Sequence, residues 1–196
     1  MRVHFSAMLA AAGSLLLVGC NQSKPVEANG ADKAPAAAAV DHNDPIASAM
    51  AAAPAVIAQD ATIIQAAADG SMTTLRAGNN GWTCMPDNPK TPGHDPMCMD
   101  ANALEWAEAW MAKKTPPADN VGLMYMLAGG SDASNLDPWG KQPAEGHKWV
   151  ETGPHVMIVG SDSLNKIYSA TAAPDTKKPY VMFGGTPYAH MMIPID

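Results

Sequence analysis

The chain has 196 residues, a formal net charge of −7 and only 16% charged residues. That length excludes two large domains and leaves room for one ordinary domain with a modest core. The acidic balance argues against nucleic-acid binding, which needs a basic face, and against electrostatic docking on anionic lipid.

Met1 to Cys20 reads MRVHFSAMLAAAGSLLLVGC. Arg2 precedes an apolar run from Ala7 to Val18, which is the layout of an export signal and too short for a membrane span. Leu17-Val18-Gly19-Cys20 resembles the lipobox of bacterial lipoproteins. The resemblance implies that residues 1–19 are a signal peptide removed before Cys20, that Cys20 is diacylated, and that its new terminus is acylated. Several acyl chains together give stable anchoring. Asn21 stands where that family places the Asp of inner-membrane retention, which implies an outer-membrane anchor facing the periplasm. Residues 20–45 are rich in Ala, Pro, Asn and Asp and show no apolar periodicity. Such a segment buries too little surface to offset its ordering entropy, so it reads as a flexible tether with a reach of roughly 30 Å.

Residues 46–196 read as a single α+β domain. Ile46 to Ala58 suggests a short helix broken at Pro54. Ala61 to Ala68 and Ser71 to Ala77 predict two strands around Asp69-Gly70, and Gly78-Asn79-Asn80-Gly81 predicts a second turn that continues a meander into Trp82. Asp100 reads as the N-cap of a helix running to Lys114. Its Ala103, Trp106, Ala107, Trp110 and Met111 form one apolar stripe, and Thr115-Pro116-Pro117 stops it. The two tryptophans are expected to cover a sheet. Further strands are expected at Val121–Leu127, at His155–Val159 and at Val181–Phe183 leading on to His190–Ile195. A long polar loop is expected over 128–149 and a helical turn over Ser161–Tyr168. Thr152-Gly153-Pro154 and Gly184-Gly185-Thr186-Pro187 are expected to bend the chain just before a strand. The sum is a mostly antiparallel sheet with one amphipathic helix packed on it.

With Cys20 acylated, Cys84 and Cys98 are the remaining thiols, fourteen positions apart. An even pair in an oxidising compartment is expected to form a disulfide. The CxxC spacing of a thioredoxin-like centre is absent, and one nearby His94 with two cysteines is a poor zinc set. The stretch GWTCMPDNPKTPGHDPMCMD therefore reads as a staple.

Two patterns invite chemistry. His155-Val156-Met157 and His190-Met191-Met192 repeat His-x-Met, and strand alternation puts each His on the same face as its Met. If the two strands are neighbours, His155, Met157, His190 and Met192 make a thioether and imidazole set suited to Cu(I). The opposing reading is core packing, since methionine fills irregular cores. The chain holds fourteen methionines, five tryptophans and two phenylalanines. The second pattern is Gly129-Gly130-Ser131-Asp132-Ala133-Ser134-Asn135. Its Ser131, Asp132 and Asn135 are candidate ligand contacts, and Asp132 with His155 and His190 is a candidate hydrolytic set. Neither a G-x-S-x-G elbow nor a phosphate loop is present, so a structural turn stands beside both.

Gly81-Trp82-Thr83-Cys84, Asp95-Pro96-Met97-Cys98, Gly130 to Asn135, Gly153-Pro154-His155-Val156-Met157 and Gly185-Thr186-Pro187-Tyr188-Ala189-His190 together resemble an uncharacterised family of secreted bacterial proteins. The resemblance covers about Ala61 to Pro194. It implies secretion and one compact domain, and it brings no catalytic residues. The resulting expectation is an envelope lipoprotein of unassigned activity, attached to a membrane through its lipid and carrying a small periplasm-facing binding or envelope-associated domain, its small-molecule or protein partner left open. Copper binding and hydrolysis are the alternatives.

Overall fold

The structure is a computed structural model that describes residues 41, 43–67 and 69–195. The readings placed on the leader, on Cys20 and on the tether up to residue 40 lie outside those residues. The alanine-rich start of the domain folds as two short helices separated at Pro54, as its sequence predicts. Helix α1 (Pro45–Met50) begins where the Asp44 carboxylate accepts from the Ile46 N–H at 2.9 Å, with proline in its first turn. Helix α2 (Ala55–Ala58) starts at Pro54. Ala49, Ala52, Ala53 and Ala58 are buried, their small side chains letting both helices sit close to the sheet.

Strands β1 (Thr62–Ala66) and β2 (Met72–Arg76) form the expected hairpin. Gly70 takes φ +84° in the turn, where the Asp69 carboxylate accepts from the Ser71 N–H at 2.9 Å and its hydroxyl at 2.7 Å. The expected meander does not follow. Strand β3 (Thr83–Met85) lies on the far side of β1 and runs parallel to it, pairing Ile63 with Cys84. The Gly78 to Gly81 segment crosses the start of β1 instead of turning back along β2. A Cβ on Gly78 would collide with the backbone of Asp60, Ala61 and Thr62. The crossing is tied down by the Asn79 N–H donating to Asp60 O at 2.9 Å and the Asn80 side chain donating to Ile57 O at 2.8 Å.

Strand β4 (Met97–Met99) pairs antiparallel with β3, and Cys84 and Cys98 are direct cross-strand partners joined by the disulfide. The bond lies two residues from Trp82 and two from Asp100, so it fixes the sheet to the helix start. Helix α3 (Ala101–Met111) is capped by Asp100, whose carboxylate accepts from the Ala103 N–H at 2.8 Å and the Leu123 N–H at 2.9 Å. It ends three residues before the expected Lys114. Lys113 adopts φ +56°, its N–H reaches Trp110 O at 3.0 Å, and the Lys114 N–H reaches Ala109 O at 2.8 Å. That pair of bonds is a Schellman closure, which satisfies the last carbonyls and ends the helix.

Strand β5 (Gly122–Met126) runs beneath α3; a Cβ on Gly122 would collide with the backbone of Asn102 and Ala103. The segment 128–149, expected as loop throughout, contributes β6 (Gly130–Asp132), which pairs with β7 (Val150–Thr152) in a separate ribbon. Strands β8 (His155–Val159), β9 (Tyr180–Met182) and β10 (His190–Pro194) complete the main sheet. Phe183, expected in β9, takes φ +55° and leaves the strand, its N–H donating to Asn135 O at 2.8 Å. Leu164–Lys166 is one short 3-10 turn.

The main sheet has eight strands in the order β2-β1-β3-β4-β5-β8-β10-β9. Among the described residues, every pairing except β1 with β3 is antiparallel. The fold is α+β, as expected. It covers both sheet faces in part. Helices α1 and α2 pack with Ile63, Cys84 and Cys98 on one face, and α3 packs on a methionine-rich core on the other.

Candidate functional site: a methionine-lined cavity

Cross-strand partners in an antiparallel sheet point to the same face. Met99 pairs with Met124, Met124 with Met157, and Met157 with Met192. Four methionines on β4, β5, β8 and β10 thus form one rung across the centre of the sheet, on the α3 face. Beside it, Met85 pairs with Met97, and Met126 pairs with His155. Between this face, α3 and the loops flanking β4 and β6 lies a cavity of about 780 Å³. Met124, Met126, Met157, Met182 and Met192 belong to its wall, as do Trp106, Trp110 and Phe183. Asn88, Lys90 and Lys141, all exposed, stand at its rim. A cavity of this size has room for a small molecule, and its lining mixes the apolar side chains with polar ones such as Asp87, Thr91, Asp95, Asp132 and Gln142.

The polar groups are placed by specific elements. Ser131 and Asp132 enter the wall from β6 and Asp95 from the loop before β4. Burial, and then the nearby charge of Asp95, push the Asp132 carboxyl up to about 7. Burial likewise raises Asp95 to about 6, against bonds from the Thr91 hydroxyl at 2.6 Å and the Asn88 N–H at 2.7 Å. Asp87 behaves differently. Burial raises it, but the Asp95 N–H at 2.7 Å and His94 at 3.3 Å outweigh that and hold it below the usual carboxylate value. The Trp106 indole N–H is buried in the wall with no hydrogen-bond acceptor.

The sequence-derived candidates separate. Asn135 is fully buried, and its side-chain amide donates to Thr171 O at 2.7 Å and Val181 O at 3.0 Å. Those bonds hold loop to strand, away from the cavity wall, whereas Ser131 and Asp132 do line it. His155 and His190 are both buried on the cavity face of neighbouring strands. Each turns its Nδ1–H back to a carbonyl two residues earlier, His155 to Gly153 O at 2.7 Å and His190 to Tyr188 O at 2.9 Å. Neither therefore offers that N–H to Asp132 in the manner of a catalytic triad. Ser131 Oγ faces Gly93, where a Cβ would collide with it.

Met157 and Met192 meet as direct partners, and the two imidazoles flank them on opposite sides. His155 lies opposite Pro194, while His190 lies one step beyond the Met191 and Ile158 pair. Four residues of strand, roughly 13 Å at the backbone, thus separate the two histidines. Only His190 belongs to the cavity wall. Burial depresses it to about 4, so it is neutral at ordinary pH. Its ring sits edge-on to Trp106 and Phe183, with centroids 5.1 and 5.4 Å away. His155 packs beneath β6, where a Cβ at Gly130 would stand 3.2 Å from its Cε1. Among the described residues, no group of three or more His, Cys, Asp or Glu is arranged to hold a metal ion.

Asp95, the Trp106 N–H and the methionine rung are not among the candidates that local sequence patterns offer. The signal for the rung was Met at every second position, 97 and 99, then 124 and 126. Compared with known proteins, the chain matches no family model, no curated protein and no solved structure.

Proposed function

We propose that this domain binds a small, predominantly apolar molecule in the methionine-lined cavity, carried at the cell envelope by a lipid on Cys20 and facing the periplasm. The observation that supports it most is the cavity itself, about 780 Å³, with thioethers and indoles making up part of its wall. Methionine has three rotatable bonds and a polarizable sulfur, so such walls adapt to ligands of more than one shape. The buried Trp106 N–H offers a hydrogen bond to an acceptor on the ligand, and Asp132 offers a second polar contact at the β6 end. A binding role fits the arrangement better than hydrolysis, because both imidazoles commit their Nδ1–H to a backbone carbonyl and do not offer it to Asp132. The lipobox resemblance supports the location, and the resemblance to secreted bacterial proteins supports export.

Titration with the neutral fluorescent probe N-phenyl-1-naphthylamine tests the reading. Saturable uptake of one probe per chain, with a blue-shifted emission, is expected. Ala107 lies on α3 in the cavity wall, so Ala107→Trp should fill the space and weaken uptake about tenfold or more, equivalent to roughly 1.4 kcal/mol. Circular dichroism checks that the variant is folded. Absence of saturable uptake by the wild-type chain contradicts the proposal.

A further inference from the structure

We propose that the floor of the cavity is also a Cu(I) site, formed by the thioethers of Met124, Met157 and Met192 and the imidazole of His190. The three methionines occupy adjacent strands in one continuous register. Direct cross-strand partners place their Cβ atoms about 4.5–5.5 Å apart. Three rotatable bonds then let neighbouring sulfurs turn toward a common point. His190 follows on the same face, two residues from Met192, and all four side chains belong to the cavity wall.

The imidazole is prepared as a ligand. Its Nδ1–H is committed to Tyr188 O at 2.9 Å, which leaves Nε2 as the lone-pair nitrogen. A backbone carbonyl holding the far ring nitrogen is the usual way a protein orients a metal-binding histidine. Trp106 and Phe183 at 5.1 and 5.4 Å restrict the ring further. Soft thioethers with one neutral imidazole select Cu(I) over harder divalent ions. Such a ligand set needs no carboxylate. The described cysteines do not compete, since Cys84 and Cys98 are joined. Relative to the pairing of both histidines expected from sequence, Met124 takes the place of His155, which lies outside the wall.

The site shares the cavity with the binding role but does not require an organic ligand. The test titrates Ag(I), a redox-inert probe with the same ligand preference, into the full chain carrying 13C-methyl methionine. One equivalent should shift the methyls of Met124, Met157 and Met192 and the ring resonances of His190. Met157→Leu with Met192→Leu keeps side-chain volume and should weaken Ag(I) binding about tenfold or more with little change in melting temperature. Cu(I) offered anaerobically from a bicinchoninate complex should follow the same pattern. Shifts confined to Met50 and Met72, no shifts at all, or undiminished binding by the double variant would overturn the site. If that variant fails to fold, the wild-type methyl shifts decide alone. Dye uptake without these shifts removes the metal site only, and these shifts without dye uptake remove the apolar-ligand reading only.

Discussion

Asp132 is the residue at which the cavity responds to the solution around it. Its folded carboxyl sits at about 7 against an ordinary 3.8, through burial first and the charge of Asp95 second. A raised carboxyl favours the folded state while it is protonated. Its contribution is fully present below about 4 and is lost as pH rises through about 7. Asp95, raised to about 6 by burial, acts in the same direction. His190, lowered from 6.5 to about 4, acts in the opposite one, adding stability as pH rises across that interval. The profile of the wild-type chain is therefore blunted, and the comparison with Asp132→Asn isolates the carboxyl. Urea midpoints measured from pH 4 to pH 8 should show the variant gaining on wild type as pH rises, with the gain levelling off above about 7. A difference that stays constant across the range contradicts the assignment. Sequence could place Asp132 in a polar, glycine-rich stretch. It could not show the burial or the approach of Asp95, a residue 37 positions earlier in the chain.

At the scale of elements, the helix and the cysteine pair carry the firmest expectations. Asp100 caps α3 and also holds the start of β5 through the Leu123 N–H. Asp100→Ala removes both bonds and should cost about 2 kcal/mol in chemical denaturation; a loss of only a few tenths would show that neither bond matters. The disulfide joins two strands of three residues each, with a sequence separation of 14. Replacing both cysteines by alanine should cost about 3 kcal/mol in the chain-entropy account, read as a lower denaturation midpoint that reductant no longer changes. An unchanged midpoint would mean that the strands hold without it. The start of α3 was legible because Asp100 directly precedes a run with helical periodicity. Its end was not, because the left-handed closing residue is Lys113 and no glycine marks it. The five-residue strands β8 and β10 were legible from their composition and alternation. Strands β3, β4, β6 and β7 have three residues each, too few for a two-residue period to stand out.

At the scale of the whole molecule, function depends on register, which no single stretch of sequence encodes. The composition shows many methionines, and local spacing shows them alternating on short segments. Only the order β4-β5-β8-β10 turns them into a continuous floor. The parallel return of β3 beside β1, guided by the close approach of Gly78 to Asp60, Ala61 and Thr62, is part of what sets that order. The central claim is that this floor faces a ligand and is not merely the filling of a core. The most direct measurement is methionine-methyl NMR of the full chain with N-phenyl-1-naphthylamine, whose rings shift any methyl they touch. The methyls of Met124, Met157 and Met192 should shift and saturate together, while that of Met72, exposed on β2, stays unmoved. Shifts limited to exposed methyls, or none at saturating probe, would show that the probe does not enter and that the methionine face is core alone.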